Sequence, residues 1–116
     1  MPYVTISASQ SFSAEQKRQL VVSASDAVVS SLQSPVENVR VLLNEYPEAA
    51  YVIAGKNEIP MLTYQIDLIE GRDDTKKAAL VNTLKAAGSA ATGLARDDIK
   101  VRMSDFRRED MGHFPA

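Results

Sequence analysis

The chain has 116 residues, 45% of them hydrophobic and 24% charged, with a net charge of −2. That length suits one domain with a modest core, and the near-neutral balance gives no basis for nucleic acid or an anionic membrane as the main partner. With no cysteine and a single histidine, His113, the composition excludes thiol catalysis, disulfides, thiolate metal sites and a multi-histidine metal centre.

Read from its start, the chain shows neither a basic leader nor an apolar signal run, and no stretch reaches the roughly 18 apolar residues of a membrane span. A cytoplasmic protein is expected. Tyr3 to Ala8 alternates, with Val4, Ile6 and Ala8 on one side and Thr5 and Ser7 on the other, which predicts a strand with one apolar face. Ser13 with Gln16 three residues on is a capping-box signal. Behind it Leu20, Val21, Ala24, Ala27, Val28 and Leu32 recur at helical spacing, and a second strand is predicted from Val39 to Asn44. The segment around 45–60, with two prolines and Gly55, reads as a linker with room for a short hairpin.

The pattern then repeats. A strand from Leu62 to Leu68 turns Leu62, Tyr64, Ile66 and Leu68 away from Thr63, Gln65 and Asp67. Asp73 or Asp74 serves as N-cap to a helix carrying Leu80, Val81, Leu84, Ala87 and Ala91, and a strand from Ile99 to Ser104 closes the unit. Sliding the sequence along itself until Lys17 falls on Lys77 also superposes Leu20 and Val21 on Leu80 and Val81, and Val41 on Val101. The expected architecture is α/β (α+β): a tandem βαβ repeat, four strands in one sheet, both helices on one face, each pair within a unit parallel with a right-handed crossover. The chain is read as one domain, 1–116, of pseudo-repeats 1–58 and 61–116. The uncovered sheet face, with Thr5, Ser7, Thr63, Gln65 and Asp67, suits a partly wet subunit interface, and small size favours oligomerisation.

Taken together, these residues resemble the tautomerase superfamily in its fused form, two 4-oxalocrotonate tautomerase-like units joined head to tail. The resemblance is carried by Met1-Pro2, Ser13 to Lys17, Val39-Arg40-Val41 and Tyr51 to Gly55 in the first half, and by Leu68 to Arg72 followed by Asp73-Asp74 in the second. It implies a cofactor-independent tautomerase (isomerase), with no metal, acting on a small anionic enol or dienol acid, and a homotrimer. Pro2, freed by loss of Met1, would be the base, Arg72 would clamp one carboxylate, and Arg40 would bind the other carboxylate and the carbonyl oxygen. Lys100 is an alternative source of that second cation, and which of the two serves depends on the neighbouring subunit. Tyr51, Phe106, Met111 and Phe114 are candidates for an apolar wall, and His113 near the chain end is read as solvated.

The departures from the family pattern point to one site per chain. Leu62 stands where the second unit would have its proline, Phe12 where the first would have its loop arginine, and Lys100 where the second would repeat Arg40. Two alternatives remain at this level. One is a hydratase, dehalogenase or decarboxylase of small unsaturated acids, weakened by Ile69 at the place of a second loop arginine. The other is a non-catalytic trimeric scaffold or signalling protein of the same fold.

Overall fold

The structure, a computed structural model, describes residues 2–47 and 49–112. Strand β1 (Tyr3–Ala8) leads to helix α1 (Ala14–Leu32), a 3-10 turn (Val36–Asn38) and strand β2 (Arg40–Glu45). The second unit repeats this with β3 (Leu62–Ile69), α2 (Asp74–Thr92), a 3-10 turn (Arg96–Asp98) and β4 (Ile99–Phe106), followed by a last 3-10 turn (Arg108–Asp110). The two helices and the first two 3-10 turns keep the offset of Lys17 from Lys77 at both of their ends, as the internal repeat requires.

Local chemistry sets the helix boundaries. The Ser13 side chain accepts from the Gln16 amide and the Gln16 side chain accepts from the Ser13 amide, so the capping box forms in full. Asp73, rather than Asp74, caps α2 by accepting from the Lys76 amide at 2.9 Å. Each helix ends in the left-handed region, on Gln33 and on Gly93. Strand β2 is shifted by one residue from the expected Val39 to Asn44, to Arg40–Glu45, while β3 runs on to Ile69 and β4 to Phe106. In the linker, Ile53 and Lys56 exchange backbone hydrogen bonds across a turn at Ala54 and Gly55, both with positive φ.

The sheet order is β2-β1-β3-β4, with β1 and β3 antiparallel at the centre and β2 and β4 parallel to them at the edges. Val4, Ile6 and Ala8 of β1 and Leu62, Tyr64, Ile66 and Leu68 of β3 are almost wholly buried under Leu20, Ala24, Ala27 and Val28 of α1 and Leu80, Leu84 and Ala91 of α2. Each fully buried aliphatic side chain contributes about 1.5–3 kcal/mol, so this shared core holds both units in one sheet. One buried position on α2, Gly88, lies off the hydrophobic stripe read from sequence. Because the central strands run antiparallel, exchanging the two units also exchanges the two ends of the sheet. Equivalent residues of the two halves therefore lie at opposite ends, and this decides where the site can form.

Candidate active site

One end of the sheet collects the start of β1, the start of β2 and the end of β3. Tyr3 is paired with Arg40 on one side and with Asp67 on the other. Pro2, one residue earlier, is less than 2% exposed, and its carbonyl accepts the Arg40 amide at 3.2 Å. Phe106 pairs with Ile69 at this same end, and its carbonyl accepts the Glu70 amide at 2.8 Å.

Arg72 enters from the loop that follows β3. Gly71 turns the chain there with φ +121°, a conformation that favours glycine, and Asp73 begins the helix cap, so the backbone on both sides of Arg72 is tightly determined. The half-buried side chain donates from Nη1 to the Ile69 carbonyl at 2.8 Å and from Nη2 to Ser34 Oγ at 3.4 Å. Arg40 projects from the uncovered face, where its guanidinium carbon stands 5.9 Å from the centre of the Tyr3 ring, a cation–π distance. The start of β1 thus has one guanidinium fixed by hydrogen bonds in the loop beyond the sheet and another stacked on the sheet face.

The remaining sequence candidates do not gather here within one chain. Lys100 pairs with Thr63, four residues along β3 from Asp67, or about 13 Å at the usual strand rise. Together with Tyr51 it lines a cleft of about 460 Å³ at the opposite end of the sheet, with Ser7, Tyr46, Met61, Thr63 and Arg102. Met111 follows the last 3-10 turn, beyond the Phe106 end of β4, and is half-buried. Phe114 and His113 lie outside the described residues. Among the described residues there is no cluster of three or more potential metal ligands, and no helix is long and apolar enough to cross a membrane.

The end of the sheet opposite Pro2 has different residues at the equivalent positions. Phe12, the counterpart of Arg72, is only 7% exposed and packs into the core, while its amide donates to Glu45 Oε2 at 2.6 Å. Leu62, the counterpart of Pro2, is an interior residue of the chain and fully buried. Two residues at or near the Pro2 end were not singled out from the sequence: Tyr3, which supports Arg40, and Ser34, which meets Arg72. Ser34 had a legible signal, because its counterpart in the second unit is the apolar Leu94.

The comparisons with known proteins agree with this architecture. Residues 2–57 match the family model described as tautomerase enzyme. A probable tautomerase of Streptococcus pyogenes serotype M3 is 38% identical over 56 residues, which are 48% of this chain and 92% of that protein. A probable tautomerase of Listeria innocua is also 38% identical, over 47% of this chain and 90% of its own length. Among solved structures, Pt0534 inactivated by 2-oxo-3-pentynoate superposes with a TM-score of 0.92 at 43% identity, covering 95% of this chain and 89% of that one. The Q0 fused 4-OT symmetric trimer superposes with a TM-score of 0.91 at 35% identity, again covering 95% and 89%. The first unit thus matches tautomerases of a single unit's length and the whole chain matches fused ones, so this chain belongs to the tautomerase family, in its fused 4-OT-like form.

Proposed function

We propose that the protein ketonises small 2-hydroxydienoate or enol-pyruvate-type acids, with the imino nitrogen of Pro2 as the base. The observation that carries this reading is the sheet register, which sets the start of β1 beside the β3–α2 loop that holds Arg72. Loss of Met1 leaves Pro2 with a secondary amine. An α-amino group ordinarily titrates near 7.7–8.0, and a secondary amine is somewhat more basic, so its charged form must be disfavoured for it to act as a base at neutral pH. Burial of the ring and nearby guanidinium groups both act in that direction.

In the proposed cycle Pro2 takes the enol hydroxyl proton and returns it to carbon, so the reaction is an isomerisation with no other reactant. Arg72 grips a carboxylate through the donors it does not spend on Ile69 and Ser34. Arg40 stabilises the oxygen on which charge develops. Phe106, at the same end of the sheet, supplies apolar surface. In a homotrimer Lys100 and Tyr51 could reach Pro2 from another copy, and a trimer is supported by the trimeric fused 4-OT relatives and by the uncovered sheet face.

Mass spectrometry of the purified N-terminus tests the central claim. Met1 should be absent, and treatment with 2-oxo-3-pentynoate, which inactivates the similar Pt0534, should add its mass at Pro2. Pro2→Ala should lower kcat/KM for enol acids by at least about a hundredfold, the lower end of what a positioned base contributes. Full activity with Met1 retained, or in Pro2→Ala, would remove Pro2 from the mechanism.

A further inference from the structure

We propose that Ser34 is a positioning residue for Arg72, a hydroxyl that fixes the guanidinium so that its free donors face the Pro2 end of the sheet. This rests on the reading of Arg72 as the carboxylate clamp. The Ile69 carbonyl ends the strand that leads into the Arg72 loop, three residues back, and a single bond to it leaves the guanidinium free to pivot. Ser34 comes from the other unit, between α1 and β2, and supplies a second fixed point at 3.4 Å. A guanidinium has five N–H donors; two are held in this way and three remain for a carboxylate.

Ser34 is built for such a role. It is only 5% exposed, and it precedes Pro35, whose ring restricts the Ser34 backbone to extended conformations. Burying a hydroxyl is unfavourable unless it is hydrogen-bonded. Ser9 and Ser34 are the buried polar residues among those described, and Ser9 has a structural partner, accepting the Met61 amide at 2.8 Å. The pseudo-repeat provides an internal comparison. At the end of the sheet opposite Pro2, the counterparts of Arg72 and Ser34 are Phe12, buried in the core, and Leu94, packed against it. The polar pair occurs at the end that has the candidate base, and an apolar pair occurs at the end that lacks it.

Steady-state kinetics with an enol acid test the assignment. Ser34→Ala should raise KM about tenfold while kcat falls less than threefold, because a misplaced clamp weakens binding before it affects the proton transfer. Ser34→Thr, which keeps the hydroxyl, should stay within about threefold of wild type. In an Arg72→Ala background Ser34→Ala should add little, the non-additivity expected of two residues acting as a unit. A wild-type KM in Ser34→Ala, or fully additive losses, would overturn the proposal. If Ser34→Ala does not fold, Ser34→Cys, nearly isosteric and a poor acceptor, takes its place in the same cycle. If the wild-type protein ketonises no enol acid, the functional reading fails, while nitrogen NMR of the guanidinium still judges the positioning. Resolved, restrained Arg72 Nη signals that average in Ser34→Ala support it, and identical spectra refute it.

Discussion

At the scale of single residues, the core contains a matched large-and-small pair that differs between the units. Tyr64 is fully buried with its hydroxyl lacking a hydrogen-bond partner among the described residues, and burial pushes its phenol pKa well up. The hydroxyl fits because α2 has Gly88 beneath it: a Cβ there would lie 2.8 Å from Tyr64 Oη and 2.9 Å from Leu62 Cδ2. The first unit carries Val4 and Val28 at these places and needs no such gap. Gly88→Ala should therefore cost about 1–3 kcal/mol from overpacking, although alanine favours helix by about 1 kcal/mol over glycine. Tyr64→Phe should be neutral or stabilising by up to about 1 kcal/mol, since it removes a buried polar group that has no partner among the described residues. Urea denaturation of both variants decides the matter, and a stabilising Gly88→Ala would contradict this packing. The sequence shows Tyr64 as an inward strand residue, but glycine on a helix reads there as a weakness, and only the packed structure explains it.

Between elements, each unit fastens the N-terminal part of its helix to the end of its edge strand by an ion pair. Lys17 of α1 meets Glu45 of β2 at 3.0 Å, and Lys77 of α2 meets Asp105 of β4 at 2.6 Å. Glu45 also accepts the Phe12 amide, one residue before the helix cap. Burial pushes the Glu45 pKa up, but the Phe12 amide and the Lys17 ammonium outweigh it, and the net shift is below the ordinary 4.5. A carboxylate depressed on folding adds stability above its unfolded pKa and loses it as pH falls through its folded pKa. Glu45→Gln should therefore be less stable than wild type at pH 7, with the gap closing as pH falls below about 4.5. Urea midpoints measured across that range check the sign, and a gap that does not change with pH would discount the pairing. The helix starts were legible because caps are written in three or four adjacent residues. The pairing of Glu45 with Phe12 was not, because it joins residues 33 positions apart.

For the whole molecule, the antiparallel centre of the sheet has the largest consequence. It carries Lys100, the counterpart of Arg40, to the end away from Pro2, and brings Arg72 of the second unit to the start of the first. Each unit thus contributes one half of the proposed site, and Lys100 with Tyr51 can join it only from a further copy. Leu42, 66% exposed on the edge strand, and the half-buried polar rows of the uncovered face leave surface for such copies. Sedimentation equilibrium should give three times the 12.6 kDa chain mass. A monomer that retains full activity would exclude Lys100 from the Pro2 site.

The sequence by itself determined the elements, their order, the tandem repeat and which face of each strand is buried, because these depend on periodicity, caps and turns read over a few neighbours. It also singled out Pro2, Arg72 and Arg40 through resemblance to the family. Only the tertiary structure decided which of the candidates share an end of the sheet, why Gly88 is needed, and that Ser34 meets Arg72. Those facts follow from strand register and from contacts between distant segments, and no local pattern in the chain encodes either.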